Sequence, residues 1–518
     1  MSAPRASQRL FSGLLFFTAL LSVGLPLRAA PAPEQDSYYG VYLQGAKIGS
    51  VTSHRTDIPA VGGKPALTKM DSVLSIEFNV MGTAASLTNR TVSVAETKSG
   101  RPISQESRTE GAGRVTLVTA NYTDRSVRYV ANIQGSEKSG TLTLKPGESF
   151  LLDTSDSPDF HPQVGMELKG KLFVPEGLQL TDMSIKVVGQ EAVRVGTQTV
   201  SAYKIVESSP AGGTTTSYMN EAGDLLRATI PLGMEICKEP KETALAPRDG
   251  SVKAPDLISL TAITPTGTTI TSPRSAQTAR YVITGASRRL PPTDAVQTVD
   301  YAPAASGAPA PADAPAPTTT MTVTVTARPL PVTGGRLYPS PEQAPAPLRP
   351  YLGATAYAAS DSPIFRKLAK QIVGEETDTA KAAARIATWV HTHVKPDPGI
   401  AAFRSATDVY NDPRGVCRDY TVYFTAIARA AGIPTKQCVG VVFADGSFFF
   451  HAWPEVWVGG ANDASSSALP NYWIALEPTL GFPYADATHI KLAEGELTAV
   501  TSIASDIGNY RIRVDSIR

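Results

Sequence analysis

Cysteine is almost missing from this chain of 518 residues: Cys237, Cys417 and Cys438 are the whole supply. Three thiols rule out a disulfide-stapled scaffold, and at least one is left unpaired within a monomer. Cys417 is the candidate free thiol. Cys237 and Cys438 are either a pair or two buried free thiols. Charge of one sign is lacking as well. The 48 Lys and Arg balance 47 Asp and Glu, for a formal net charge of +1, and the basic residues are scattered. This argues against a nucleic-acid partner and against an acidic partner surface. There is no Gly-rich phosphate loop and no zinc-type Cys/His spacing. His391 and His393, two apart at the end of a predicted helix, point to different faces and make no metal pair. No cofactor and no metal are therefore expected.

Long apolar runs are lacking after the first 25 residues. The N-terminus itself reads as an export signal. Arg5 and Arg9 form a positive start, Leu10 to Leu25 is apolar, Pro26 closes the run, and small residues at Ala29 and Ala30 suit cleavage. The alternative is an uncleaved anchor, but the run is short against the ~20 residues a bilayer needs. The expectation is residues 1–30 as a signal peptide, an exported (periplasmic or secreted) protein, and no membrane span after signal removal.

The remaining chain is too long for one core, and two to four domains are expected. From 36 to 238 short runs alternate with period two, as in Ser72 to Phe78 and Ser126 to Val130. Turn residues such as Gln44-Gly45, Gly62-Gly63 and Ala222-Gly223 separate them. This pattern predicts an antiparallel β domain, a meander or sandwich. His54 and His161 are isolated there and read as surface or packing residues. A smaller β domain follows over 254–335, with strands expected at Asp256 to Leu260, Arg280 to Ile283 and Met321 to Val325. Its Ala/Pro-rich tract, 302–318, has no apolar periodicity and reads as a disordered loop. The stretch 336–350 reads as a linker.

From 351 to 518 the pattern becomes α+β. Ser362 before Pro363 starts a helix with Ile364, Leu368 and Ile372 as its stripe, stopped at Gly374. Thr377 or Asp378 starts a second, with Ala383, Ile386, Ala387 and Val390 on one face. A third runs from Gly415 to Ala431. Strands then follow at Thr435 to Phe443 and Phe448 to Val458 around an Asp445-Gly446 turn, and again at Tyr472 to Leu476.

Three residues in that last region carry chemistry. Cys417 lies at a helix start, where unpaired N–H groups and a partial positive charge favour a thiolate and an oxyanion beside it. Arg418 either adds positive field or points to solvent. Asp419 suits the first turn as a cap. His451, inside the apolar run Phe448 to Trp453, needs a partner or a cleft. Glu477, at the end of the next strand before Pro478, is placed to reach an imidazole on a neighbouring strand ~5 Å away. Trp453 and Trp457 read as core, His489 as incidental, and Tyr410 or Asn411 as possible oxyanion donors.

The blocks Arg414 to Cys417, Ala428 to Pro434, His451 to Trp457 and Trp473 to Thr479, in that order, resemble the transglutaminase-like superfamily, whose fold is similar to papain-type cysteine peptidases. The resemblance runs from about Leu352 to Leu492. It implies Cys417 as nucleophile and His451 as general base and acid. Its third member is usually an aspartate before Pro-Thr; here Glu477 stands there, with Asp486 as the alternative. The implied function is an acyl transfer at an amide through a Cys-His-Glu triad, by a peptidase or amidase rather than a crosslinking enzyme. Its partner would be a protein or peptide, such as a cell-envelope component. The rival reading is a non-catalytic binding or scaffold module of the envelope.

Overall fold

The computed structural model describes residues 35–518 apart from 81–82, 112–113, 134–135, 153–159, 197, 210–212, 249–254, 287–289, 302–318, 398–403, 460–471, 496–502 and 504–506. The expected signal peptide 1–30, the tract 302–318 and the loop 460–471 lie outside the described residues.

Residues 35–238 build one 14-stranded antiparallel sheet with an unusual order of growth. The strands Gln35–Leu43 and Met234–Lys238 pair at its centre. Seven more strands then spread to one side in chain order, as far as Ser136–Thr143. Five more spread to the other in reverse order, as far as Glu167–Val174. Local chemistry supports each hairpin. Gln44 and Gly45 take φ of 52° and 78°, which closes the first tight turn. Along Ala46–Ile58 burial alternates, so one face is core and the other faces water. The two outer arms curl towards each other, because Val118, Val127 and Ala131 of one arm pack with Phe173 and Leu178 of the other. Tyr129 stacks on Phe173 with ring centroids 5.9 Å apart. It is thus a single curled meander rather than two stacked sheets.

A five-stranded sheet follows. Thr278–Ala286 lies between Thr319–Thr326 and the C-terminal strand Arg511–Ile517. Gln297–Tyr301 and Thr266–Gly267 form the edges. The strand expected at Asp256 to Leu260 is instead a short helix, Leu257–Thr261. Asp256 Oδ1 accepts from the Ser259 backbone amide at 3.2 Å, an N-terminal cap that a five-residue run of strand-like residues does not outweigh. The stretch 336–350 does not hang free as a linker: Tyr338, Ala344 and Leu348 are buried against Trp457 and Trp473.

The last unit is α+β. Helices Pro363–Val373, Thr379–His393 and Ala406–Asn411 surround the helix Cys417–Ala430, hereafter the cysteine helix. The cysteine helix packs on a four-stranded antiparallel sheet in the order Trp473–Ala475, Ser447–Trp457, Thr435–Ala444, Ile490–Glu494. The caps read from sequence are present. Ser362 accepts from the Phe365 amide with Pro363 in the first turn, and Asp378 accepts from the Lys381 amide. The stripe of the first helix is rotated from expectation, since Phe365, Leu368, Ala369 and Val373 are buried while Ile364 is exposed. Asp445 and Gly446, at φ 46° and 85°, turn the central hairpin. Gly432, at φ 85°, lets the chain end the cysteine helix against Tyr338, whose carbonyl a Cβ would meet at 2.1 Å.

One hydrophobic core joins the five-stranded sheet to the α+β unit. The curled sheet touches that unit through Arg114, which pairs with Asp412, and through Tyr357, which donates to the Glu176 carbonyl at 2.9 Å. Among the described residues no helix is long and apolar enough to cross a membrane.

Candidate active site

Cys417 is the first residue of the cysteine helix and is fully buried. Val416 is the cap residue, and Asp419 closes the turn by accepting from the Val416 amide at 2.9 Å. Gly415 is needed because a Cβ there would meet the Asp419 side chain at 2.4 Å. Asp419 is buried, and burial raises its pKa against the pull of Arg418 and Arg404. Arg418 points inward, not to solvent: it is buried, its Nε lies 3.8 Å from Asp419 Oδ2, and its charge acts on Cys417.

The sheet brings the imidazole to this helix end. His451 sits mid-strand opposite Gly440. Gly440 has no room for a side chain, since a Cβ would lie 2.0 Å from the Ile490 carbonyl and 2.9 Å from Trp453. That close approach seats the strand Ile490–Glu494 against Thr435–Ala444, and His489, just before it, has its ring 5.8 Å from that of His451.

Glu477 follows the strand Trp473–Ala475 and is also fully buried. Its Oε1 accepts from the Thr479 and Leu480 amides, both at 3.0 Å. Its Oε2 accepts from His451 Nε2 at 2.7 Å. The extra methylene of glutamate is taken up in this turn, which His391 also steadies: its Nδ1 donates to the Pro478 carbonyl at 2.9 Å. With Nε2 committed to Glu477, Nδ1 is the His451 nitrogen left for the Cys417 thiol, whose influence on this imidazole raises its pKa. Cys417, His451 and Glu477 are thus all buried, with the imidazole bonded to the carboxylate.

The electrostatics follow. Burial depresses the pKa of His451, but the Glu477 charge and the bonds to Cys417 and Glu477 outweigh it and raise it to about 9. Burial pushes Glu477 up, yet His451 and His489 hold it well below the usual carboxylate range.

Sequence reasoning missed His489. It is buried, and its Nε2 donates to the same Glu477 Oε2 at 2.9 Å. Its Nδ1 faces Asp486 Oδ1 at 3.3 Å and the Asp486 carbonyl at 3.2 Å. Asp486 therefore does not orient His451; it holds His489 and is anchored by Arg274 at 2.6 Å and by Thr488. The available signal was an Asp and a His three apart in a run that turns apolar at Ile490. Trp453 and Trp457 are buried core residues, with Trp453 stacked 6.1 Å from His451. Tyr410 is half-exposed and packs on Phe365, at the far end of a short helix.

Among the described residues two groups have metal-like composition: His451 with Glu477 and His489, and Cys438 with Glu455 and Glu494. In the first, the candidate ligand atoms are those already bonded to one another at 2.7 and 2.9 Å. In the second, Lys491 donates to Glu455 at 2.8 Å and to Glu494 at 2.7 Å, supplying positive charge already. None of Cys237, Cys417 and Cys438 is in a disulfide.

Residues 366–478 match the model of the transglutaminase-like superfamily. No curated protein matches the chain. Two solved structures are similar to it. A candidate cysteine protease from Cytophaga hutchinsonii is 19% identical with a TM-score of 0.28, over 47% of this chain and 86% of that one. A candidate protease from Parabacteroides distasonis is 11% identical with a TM-score of 0.19, over 77% of this chain and 65% of that one.

Proposed function

Because the C-terminal part of this chain is a transglutaminase-like domain, we propose that the protein is an exported cysteine enzyme that cleaves amide bonds of a protein or peptide through Cys417, His451 and Glu477. The observation that carries the proposal is the buried His451–Glu477 bond at 2.7 Å, with Cys417 at a helix start acting on the same imidazole.

In this mechanism the Cys417 thiolate attacks the amide carbon. The helix-start amides face the developing oxyanion. His451 Nδ1 gives its proton to the leaving nitrogen, the C–N bond breaks and a thioester remains. Water then attacks, His451 takes its proton, the C–S bond breaks and the acid leaves. An amine in place of water would give a crosslink by the same steps. Hydrolysis is favoured because water is the abundant acceptor. Glu477 keeps Nε2 protonated and Nδ1 aimed at sulfur. Export rests on the N-terminal sequence, and N-terminal sequencing of the mature protein tests it: cleavage near Ala29 is expected.

A second reading is a non-catalytic binding module of the cell envelope, and the full burial of Cys417 favours it. Alkylation with a neutral reagent, resolved by peptide mass spectrometry, separates the two. Under the catalytic reading Cys417 reacts well ahead of Cys438 at neutral pH, and His451→Ala slows it at least about tenfold. Slow reaction at Cys417, indifferent to His451→Ala, would leave the binding module standing.

A further inference from the structure

The second histidine at Glu477 has no place in a three-residue triad. Its surroundings are specific. Both His489 nitrogens face only acceptors: Glu477 Oε2 on one side, the Asp486 carboxylate and carbonyl on the other. An imidazole so placed carries both protons and is a cation. The charge is countered twice, since Asp486 is itself fixed by Arg274 and two bonds from Thr488. Burial alone would strip this proton, and Asp486 then Glu477 reverse that, raising His489 to about 9. The two imidazole rings are 5.8 Å apart, so His489 and His451 compete for one carboxylate oxygen.

We propose that His489 is a positioning residue of this site: as an imidazolium held between Glu477 and Asp486, it fixes the shared carboxylate and withholds part of its charge from His451, setting the pH at which His451 releases its proton. This rests on the catalytic reading above. The other charged or titratable groups near the pair are Cys417 beside His451 and Arg274 and Tyr281 beyond Asp486. The Trp453 ring meets His489 edge-on at 5.3 Å. Lys491, two residues along, turns to Glu455, Glu494 and Asp294.

The test is the pH dependence of Cys417 alkylation by chloroacetamide in the full chain, read peptide by peptide. The rate should step near pH 9, where His451 deprotonates. His489→Gln keeps an N–H donor towards Glu477 but removes the positive charge. Glu477 then acts undivided on His451, and the step should move up by about one pH unit. Asp486→Asn, which lets His489 lose its proton earlier, should move it the same way by less, and covers the case in which His489→Gln does not fold. A merely structural His489 would change the melting temperature and leave the step in place. A step that still depends on His451 but is unmoved by both variants overturns this proposal alone. Cys417 reactivity that ignores His451→Ala overturns the catalytic reading, and this proposal with it.

Discussion

The curled 14-stranded sheet and the α+β unit place their charges in opposite surroundings. In the sheet, Arg90 meets Asp71 across adjacent strands at 2.6 Å with the Arg90 side chain 50% exposed, and Lys204 meets Glu191 in the same manner. In the α+β unit Lys491 is surrounded by Asp294, Glu455 and Glu494, and His451, Glu477 and His489 form a second network with no exposure to speak of. Exposed pairs gain little because water already solvates each partner. Buried groups have only each other, so each is held in one geometry and its pKa is displaced. The difference teaches where reactivity can be built: cross-strand pairs such as Arg90–Asp71 stay in contact with water, while the Lys491 and Glu477 networks of the α+β unit are kept dry.

The sharpest way to test the contrast is function. His451→Ala should lower Cys417-dependent turnover of an amide substrate by about 10²–10⁴-fold, whereas Arg90→Ala should leave the rate as it was; equal effects would break the contrast. Stability is next. Lys491→Met strands the carboxylates of Glu455, Glu494 and Asp294 in the interior and should cost about 3–5 kcal/mol in urea unfolding. A loss under about 1 kcal/mol would mean water reaches that network.

A pH series probes the same contrast more gently. His451 and His489 have folded pKa values raised to about 9. Their stabilisation is fully present below the unfolded value of about 6.5 and is lost as pH rises towards 9. Glu477 is depressed, and Asp486 is lowered to about 2, so their stabilisation is present above the ordinary carboxylate range and lost only in strong acid. Hydrogen exchange between pH 6.5 and 9 should therefore show the α+β unit loosening by a few kcal/mol while the curled sheet holds. The smallest effect is Arg90→Ala on stability, expected within about 1 kcal/mol by thermal unfolding.

Much of this was legible locally. A Ser before a Pro, an Asp three residues before a lysine amide and an Asp-Gly pair act through bonds within a few residues, so Ser362, Asp378 and Asp445-Gly446 set the expected helix starts and hairpin. Cys417, His451 and Glu477 could be proposed from sequence because of their local settings, a helix start, an apolar strand and a strand end before Pro478. Where two periods fit the same residues, sequence gave way. Ile364 and Phe365 both suit a helix stripe, and only packing chose Phe365 for the core. Leu257, Ile258 and Leu260 suit a strand by residue type, but the Asp256 cap made the segment helical. Ile512 and Val514 are buried while Arg511 and Arg513 are exposed, yet the partner of that strand is some 230 residues earlier, at Thr278–Ala286.

By itself the sequence determined the residue types and their local settings: a thiol at a helix start, an imidazole in an apolar strand, a carboxylate ahead of Pro-Thr. Tertiary structure decided the company they keep. Strand pairing is made by backbone groups that every residue shares, so no side chain announces which strands will adjoin. It was the close approach at Gly440 and Ile490 that put His489 on the carboxylate used by His451, and the long-range reach of Arg274 that fixed Asp486 behind it.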